Sequence, residues 1–450
     1  MVTPGSGPAP GSRVLLGEIV HFSGDPGDDP QSAAIQHWSD GALWIERGRV
    51  RACGARADVL GALQSDPAAA ATTIDDQRGR LILPGLIDCH LHYAQVGIMA
   101  SWGRQLLEWL QNYTFPAELA CAAADEAERR AAFVLERLLA HGTTTASVFA
   151  TVHPHSVDAF MRQADRLGLR MLCGKVMMDR NCPPGLRDSV ATNRHEIPRL
   201  IADWHGRGRL RYTLTPRFVP TSTPQQLELA GEWYAAVPDL HVQSHLCENA
   251  AEIDWVRTLH PQAADYFALY QAAGLAGPRT IYGHCLHLTP RERAALRDTG
   301  SAVAFCPTSN LFLGSGVLDA VSLLDEGIAV GLATDIGGGS SLSLIRTLAA
   351  AYQHSQLVGR PLAPMRAWYL ATLGGARALE LQAMVGSFQP GCEGDCVVLD
   401  WTAIPELDWR VDQAVTLAER MFALAMLGDE RCVHATYIEG NRVGALRVHA

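Results

Sequence analysis

The apolar residues of this chain fall into two rhythms. Between about 85 and 380, short apolar runs alternate with longer stretches whose apolar positions recur at helical spacing. The short runs are LIDCHLH, TTTASVF, RMLCG, YTLTP, HVQSHL, TIYGH, SAVAF and AVGLATD. Between them lie ADEAERRAAFVLERLLAHG, SVDAFMRQADRLG, HEIPRLIADWHGRG, PQQLELAGEWYAAV, ERAALRDTG and VSLLDEGI. Near-continuous apolar runs predict strands covered on both faces, and amphipathic stretches predict the helices that cover them. Eight β segments separated by helices predict a parallel sheet closed into an α/β (β/α)8 TIM-like barrel over 85–384. The two ends read differently. RVLLGEIVHF and ALWIERGRVRACG, then CVVLD and VHATYIEGNRV, are short β segments broken by turn-rich pieces such as SGDPGDDP. They predict a small β-sandwich domain built from both termini, residues 13–84 and 385–450.

Composition narrows the class. The 450 residues carry 48% hydrophobic and 19% charged side chains, an ordinary globular balance. A net charge of -10 offers no basic footprint for nucleic acid or an anionic membrane, and points to a cytoplasmic protein. No run approaches the ~18 apolar residues of a membrane span. The start, MVTPGSGPAPGS, lacks a charged segment followed by an apolar one, so residues 1–12 read as a flexible lead rather than a signal peptide. Eleven scattered cysteines, with one CxxxC pair at Cys392 and Cys396, read as reduced buried thiols.

The chemistry gathers at strand ends. LIDCHLH ends in His90 and His92, one residue apart, which on a strand point the same way. Two imidazoles on one face are either a metal edge or polar residues on a wet face. The fifth run adds His245 and Glu248, the sixth His284, the eighth Asp335. In a (β/α)8 barrel the C-terminal strand ends meet at one mouth, where catalysis sits. Singly, a strand histidine is more often structural and an Asp before Gly-Gly a turn or cap. Jointly, His90, His92, His245, His284 and Asp335 form a nitrogen and oxygen ligand set suited to zinc or a similar divalent ion.

PGLIDCHLH, HGTTT, SHLCEN, GHC and ATDIGGG resemble the amidohydrolase superfamily of metal-dependent hydrolases. QLLEWLQNYTFPAE, TVHPHSVDAF, GKVMMDRN, TLTPRF, FCPTSNLFLGSG and YLATLGGARALEL are similar, more closely, to its guanine deaminase family. The resemblance spans nearly everything from Arg13 onward and implies a homodimer. Binuclear members carry a bridging lysine on strand four; YTLTPRF has none, and Lys175 lies on strand three, so the resemblance implies one Zn2+ per chain. It implies hydrolysis of guanine to xanthine and ammonia by a metal-activated hydroxide. Glu248 would protonate ring N3, with a pKa raised by an apolar pocket. Asp335 would bind metal, accept the water proton and pass it to the leaving amine.

Arg217 and Phe218, in TPRF, look like the family's substrate pair. Arginine has donors only and suits the O6 carbonyl, while Phe218 would pack on the purine face. The Gln95 amide can donate and accept along a purine edge, or be an ordinary loop amide. Trp102 and Trp109 wall the pocket or fill the core. His153 and His155 read as loop or outer residues, His287 as outside the ligand set, and Thr308, Ser309 and Asn310 as groups that could orient the ligands. Competing readings are a relative acting on cytosine, an adenosine derivative or an s-triazine, or a barrel scaffold without activity. A cytidine-deaminase zinc site needs H-x-E and P-C-x-x-C, which are not paired in this chain.

Overall fold

The computed structural model describes residues 11–69, 71–103 and 105–443. Of the flexible lead expected over 1–12, residues 1–10 lie outside the described residues and Ser12 already opens the strand Ser12–Phe22; residues 444–450 of the C-terminal segment also lie outside the described residues. Eight parallel strands form the barrel: Leu86–His92, Thr143–Phe149, Arg170–Gly174, Arg211–Pro216, His241–Leu246, Thr280–His284, Ala302–Phe305 and Val330–Leu332. Each pairs with the next in chain order. A two-residue strand, Val176–Met177, follows the third strand and pairs in parallel with the end of the fourth. The seam between strands eight and one is closed just past strand eight, where the Asp335 N–H donates to the His90 carbonyl at 2.8 Å and the His92 N–H to that of Ile336. That seam draws Asp335 to the two histidines of strand one. Strands one, two, five and six are buried at every residue, which is why they read as unbroken apolar runs.

Helices run between the strands and pack on the outside. The helix Pro290–Thr299 shows why these segments start and stop where they do. Thr289 and Glu292 form a reciprocal capping box, and Gly300 ends the helix at φ 74°. The long insertion after strand one differs. It comprises a 3-10 turn (Tyr93–Ile98), a short helix (Leu106–Trp109), one π turn (Leu110–Thr114) and a second short helix (Phe115–Ala120). The helical segment LLEWLQNYTF is thus interrupted by a wide turn, which shifts the face that the following residues present.

The terminal segments form one seven-stranded sheet. By hydrogen bonding it is continuous, and the sandwich arises because it curls. Leu15, Leu43, Val50, Ile82, Val398 and Tyr437, from six strands, share one enclosed apolar cluster. The two sheet ends meet, since the Gly394 N–H donates to the Gly48 carbonyl and the Gly440 N–H to that of Gly394. Neighbouring positions in the same strands, Leu81, Leu83, Val397 and Leu399, face the barrel core. Gly85 alone separates this sheet from barrel strand one, and a Cβ there would lie 2.1 Å from Thr144 Oγ1. Only glycine lets the chain pass so close to strand two.

A buried ionic cluster ties the domains. The Arg170 Nε–H donates to Glu393 at 2.7 Å, and Arg209 donates to Glu393 at 2.6 Å and to Asp395. Lys175 is fully buried against Asp188, Asn193 and Glu196 on the helical side, a structural position away from the barrel mouth. All eleven cysteines are free thiols, ten of them buried. Among the described residues no helix is long and apolar enough to cross a membrane.

Candidate active site

The C-terminal strand ends bring four imidazoles and one carboxylate together. His92 Nε2 and His245 Nε2 lie 3.2 Å apart. One oxygen of Asp335 lies 3.4 Å from His90 Nε2 and 3.6 Å from His92 Nε2, and the other lies 3.7 Å from His284 Nε2. Ligands held 2.0–2.1 Å from one tetrahedral ion stand about 3.3 Å apart. The spacing therefore fits a single divalent cation, and His90 Nε2 is buried with no hydrogen-bond partner to satisfy it otherwise. Burial holds His92 and His245 well below the ordinary imidazole range, so both are neutral, the ligand form.

Outer partners fix which nitrogens face inward. The His245 Nδ1–H donates to the Arg217 carbonyl at 2.7 Å, and the His284 Nδ1–H to Asn310 Oδ1 at 2.8 Å. Each bond leaves Nε2 free. Asp88, buried within strand one, accepts from the Thr334 N–H at 3.0 Å and from its hydroxyl, which locks strands one and eight in register. His284 and Asp335 adopt φ of 70° and 50°, left-handed backbone that tips each side chain into the mouth as its strand ends.

Beside the cradle opens a cleft of about 400 Å³, solvent at its mouth included, lined by Gln95, Trp109, Thr114, Arg217, Phe218, Glu248 and Leu313 among others. Glu248 Oε2 sits 3.5 Å from His284 Nε2, between cradle and cleft. Burial pushes its carboxyl up to about 8, His284 opposes this, and Glu252 and Asp335 add to it. Its backbone N–H is held by Glu252 Oε2 at 2.9 Å, within the capping box that opens the helix Ala250–Leu259. Phe218 lies at the end of strand four, edge-on to Trp255.

The remaining predicted positions sort cleanly. Trp109 is buried in the cleft wall, its indole N–H on the Ser101 carbonyl at 3.1 Å, whereas Trp102 is 71% exposed. His155 bonds the Cys121 carbonyl at 2.8 Å and His287 that of Ser315 at 2.9 Å, so neither reaches the cradle. His153 precedes the helix Pro154–Arg166 and stacks on His155. Two polar residues that bear on the cleft were not foreseen. Glu118 accepts from Gln95 at 2.8 Å and from Arg217 at 2.6 Å. Thr114, one helical turn earlier, lines the cleft with a buried hydroxyl that has no partner. The only sequence signal for Glu118 was a carboxylate inside the apolar segment FPAELA.

Residues 81–443 match the amidohydrolase family. The chain belongs to that family. It is 42% identical over 420 residues to guanine deaminase of Escherichia coli, which covers 92% of this chain and 94% of the relative. The solved E. coli guanine deaminase superposes with a TM-score of 0.92 at 40% identity, covering 97% of this chain and all of that one. A guanine deaminase from C. acetobutylicum, solved with guanine bound in its active site, superposes at 0.86 with 28% identity over 96% of this chain and all of that one.

Proposed function

We propose that this chain hydrolyses guanine to xanthine and ammonia, with one zinc ion per chain held by His90, His92, His245, His284 and Asp335. The observation that carries the reading is one cleft that Gln95, Arg217 and Glu248 line together with His92, His245, His284 and Asp335, with Glu248 Oε2 3.5 Å from His284 Nε2. The E. coli relative and the C. acetobutylicum structure support the choice of substrate.

A divalent ion in the cradle supplies Lewis-acid activation of water. Phe218 packs on the purine ring, and Arg217 donates to O6, which the 6-amino group of adenine cannot accept. Gln95 bonds the ring edge. With its carboxyl pushed up to about 8, Glu248 holds a proton at neutral pH and delivers it to N3 as oxygen adds to C2. Asp335, held below the ordinary carboxylate range by the neighbouring imidazoles against the opposing effect of burial, accepts the water proton. It returns that proton to the exocyclic nitrogen as the C2–N bond breaks and ammonia leaves, and the C2 hydroxyl proton passes to Glu248 as the C2 carbonyl forms, restoring the acid. Residues 85–384 carry this chemistry, and the sheet built from 13–84 and 385–450 supports the barrel from outside. The acidic charge balance supports a cytoplasmic setting, and the family resemblance supports a homodimer.

The test is ammonia release and xanthine absorbance from zinc-loaded protein given guanine, adenine, cytosine and an s-triazine in parallel, with metal per chain and mass in solution measured on the same preparation. Turnover of guanine alone is expected. Turnover of another amine with guanine inert would overturn the substrate and the O6 role of Arg217.

A further inference from the structure

We infer that Glu118 is a specificity-determining positioning residue: one carboxylate oxygen holds Gln95 and Arg217 together and aims both at the carbonyl edge of the purine. The inference rests on the guanine reading above and deepens it.

Glu118 is fully buried on the helix Phe115–Ala120, outside the strands that build the cradle. Its Oε1 accepts from Gln95 Nε2 at 2.8 Å and from Arg217 NH1 at 2.6 Å. Gln95 follows strand one and Arg217 ends strand four, so a single atom fixes two side chains from distant parts of the barrel. The bond to Gln95 also settles its amide orientation, with Nε2 toward Glu118 and the carbonyl oxygen free for the cleft. Glu118 Oε2 is buried with no partner of its own, so the carboxylate is committed through one oxygen to these two residues.

Charge makes the role directional. Arg217 lines a cleft whose own carboxylates are Glu248 and Asp335. With Glu118 in place, the guanidinium is committed to that carboxylate and keeps its remaining N–H groups for a neutral carbonyl. Without Glu118, the carboxyl groups that share the cleft with it are the proton donor and the cradle carboxylate. Arg217 would then turn toward Glu248, and the cleft would lose both its carbonyl-reading donors and its free acid. The loss would appear in recognition of O6 first and in turnover with it. Displacement of a positioning group by an ångström or so can lower rates by about 100-fold.

The experiment measures calorimetric affinities of metal-loaded protein for hypoxanthine, which keeps O6 and has no amine to lose, and for unsubstituted purine, which lacks O6. The ratio of the two affinities reports carbonyl recognition without turnover, and a loss of folded protein scales both ligands alike. Glu118→Ala and the equal-sized Glu118→Gln are expected to lower the hypoxanthine-to-purine ratio at least tenfold and guanine kcat/KM by about 100-fold, with metal content unchanged. Glu118→Gln decides the matter if the alanine variant does not fold. A ratio within twofold of the parent in the folded, metal-loaded variants would overturn the inference. If the parent binds hypoxanthine no better than purine and does not turn over guanine, the substrate reading itself fails, a result distinct from that one.

Discussion

Replacing Glu248 by glutamine tests the proton step most directly. The substitution keeps size and hydrogen-bonding reach but removes the transferable proton. The carboxyl group sits 3.5 Å from His284 Nε2 and 3.5 Å from the Ser315 hydroxyl, and among the described residues no arginine or lysine is bonded to it. The only other carboxylate lining the cleft is Asp335, which lies 3.4–3.7 Å from three imidazoles and is held in its charged form. It is committed to the cradle and cannot stand in as the acid. Without a substitute donor, the variant should lose the full contribution of a positioned general acid, about 10²–10⁴ in kcat, or roughly 3–5 kcal/mol of barrier. Glu248 binds no substrate group as strongly as it protonates N3, so KM should change by less than about threefold.

The assay is steady-state xanthine formation by ultraviolet absorbance, with metal per chain and melting temperature measured on each preparation. Retention of one-tenth or more of the parent kcat, with the ion bound, would refute the assignment of Glu248 as proton donor. So would loss of the ion from a folded variant, because Glu248 would then belong to the cradle.

Three further outcomes follow from the geometry. Arg217→Lys keeps charge but not the fork, and should lower guanine kcat/KM by about 10²-fold while leaving metal content intact, as read by parallel kinetics and metal analysis. Glu393→Gln leaves Arg170 buried without its counter-ion and Arg209 with Asp395 alone, and should destabilise the fold by about 3–5 kcal/mol in urea unfolding, with little change in KM. His241 is buried with its Nε2 bonded to the Leu379 carbonyl, and burial lowers its pKa from 6.5 to about 4. Between those values the unfolded chain binds the proton and the folded one does not, so its stability contribution is full above pH 6.5 and drains as pH falls toward 4, by about 1.4 kcal/mol per pH unit. Parent and His241→Gln should therefore diverge in unfolding free energy between pH 7 and 5, with the variant showing the shallower dependence.

The barrel was legible because its signal is local. Strands buried on both faces write themselves as short runs with little charge between amphipathic helices, and RMLCG or SAVAF needs no partner to be recognised as one. Likewise His90 and His92, His245, His284 and Asp335 could be grouped in advance because barrel topology sends every C-terminal strand end to the same mouth. The curled sheet was less legible. Its strand Ser12–Phe22 pairs in parallel with Thr73–Pro84, about sixty positions on, and nothing in either segment names the other. The roles of Glu118 and Thr114 were not legible at all. Thr114 ends and Glu118 follows a π turn that breaks the 3.6-residue period, so their face cannot be counted from the helix before it, and Glu118 meets Arg217 across 99 positions.

Arg217 shows why these two levels of legibility correspond to two levels of function. Its carbonyl oxygen accepts from His245 Nδ1 and so orients a cradle ligand, a task any residue at that backbone position performs. Its guanidinium bonds Glu118 and faces the cleft, a task only arginine performs. The backbone half belongs to the barrel and is inherited from the strand pattern. The side-chain half depends on the insertion after strand one, whose fold the pattern does not encode. Substitutions in the insertion should therefore alter which ring is accepted while leaving the ion in place. Substitutions at Asn310 or Asp88, which hold ligand and strand geometry from behind, should weaken the ion first and affect all substrates alike.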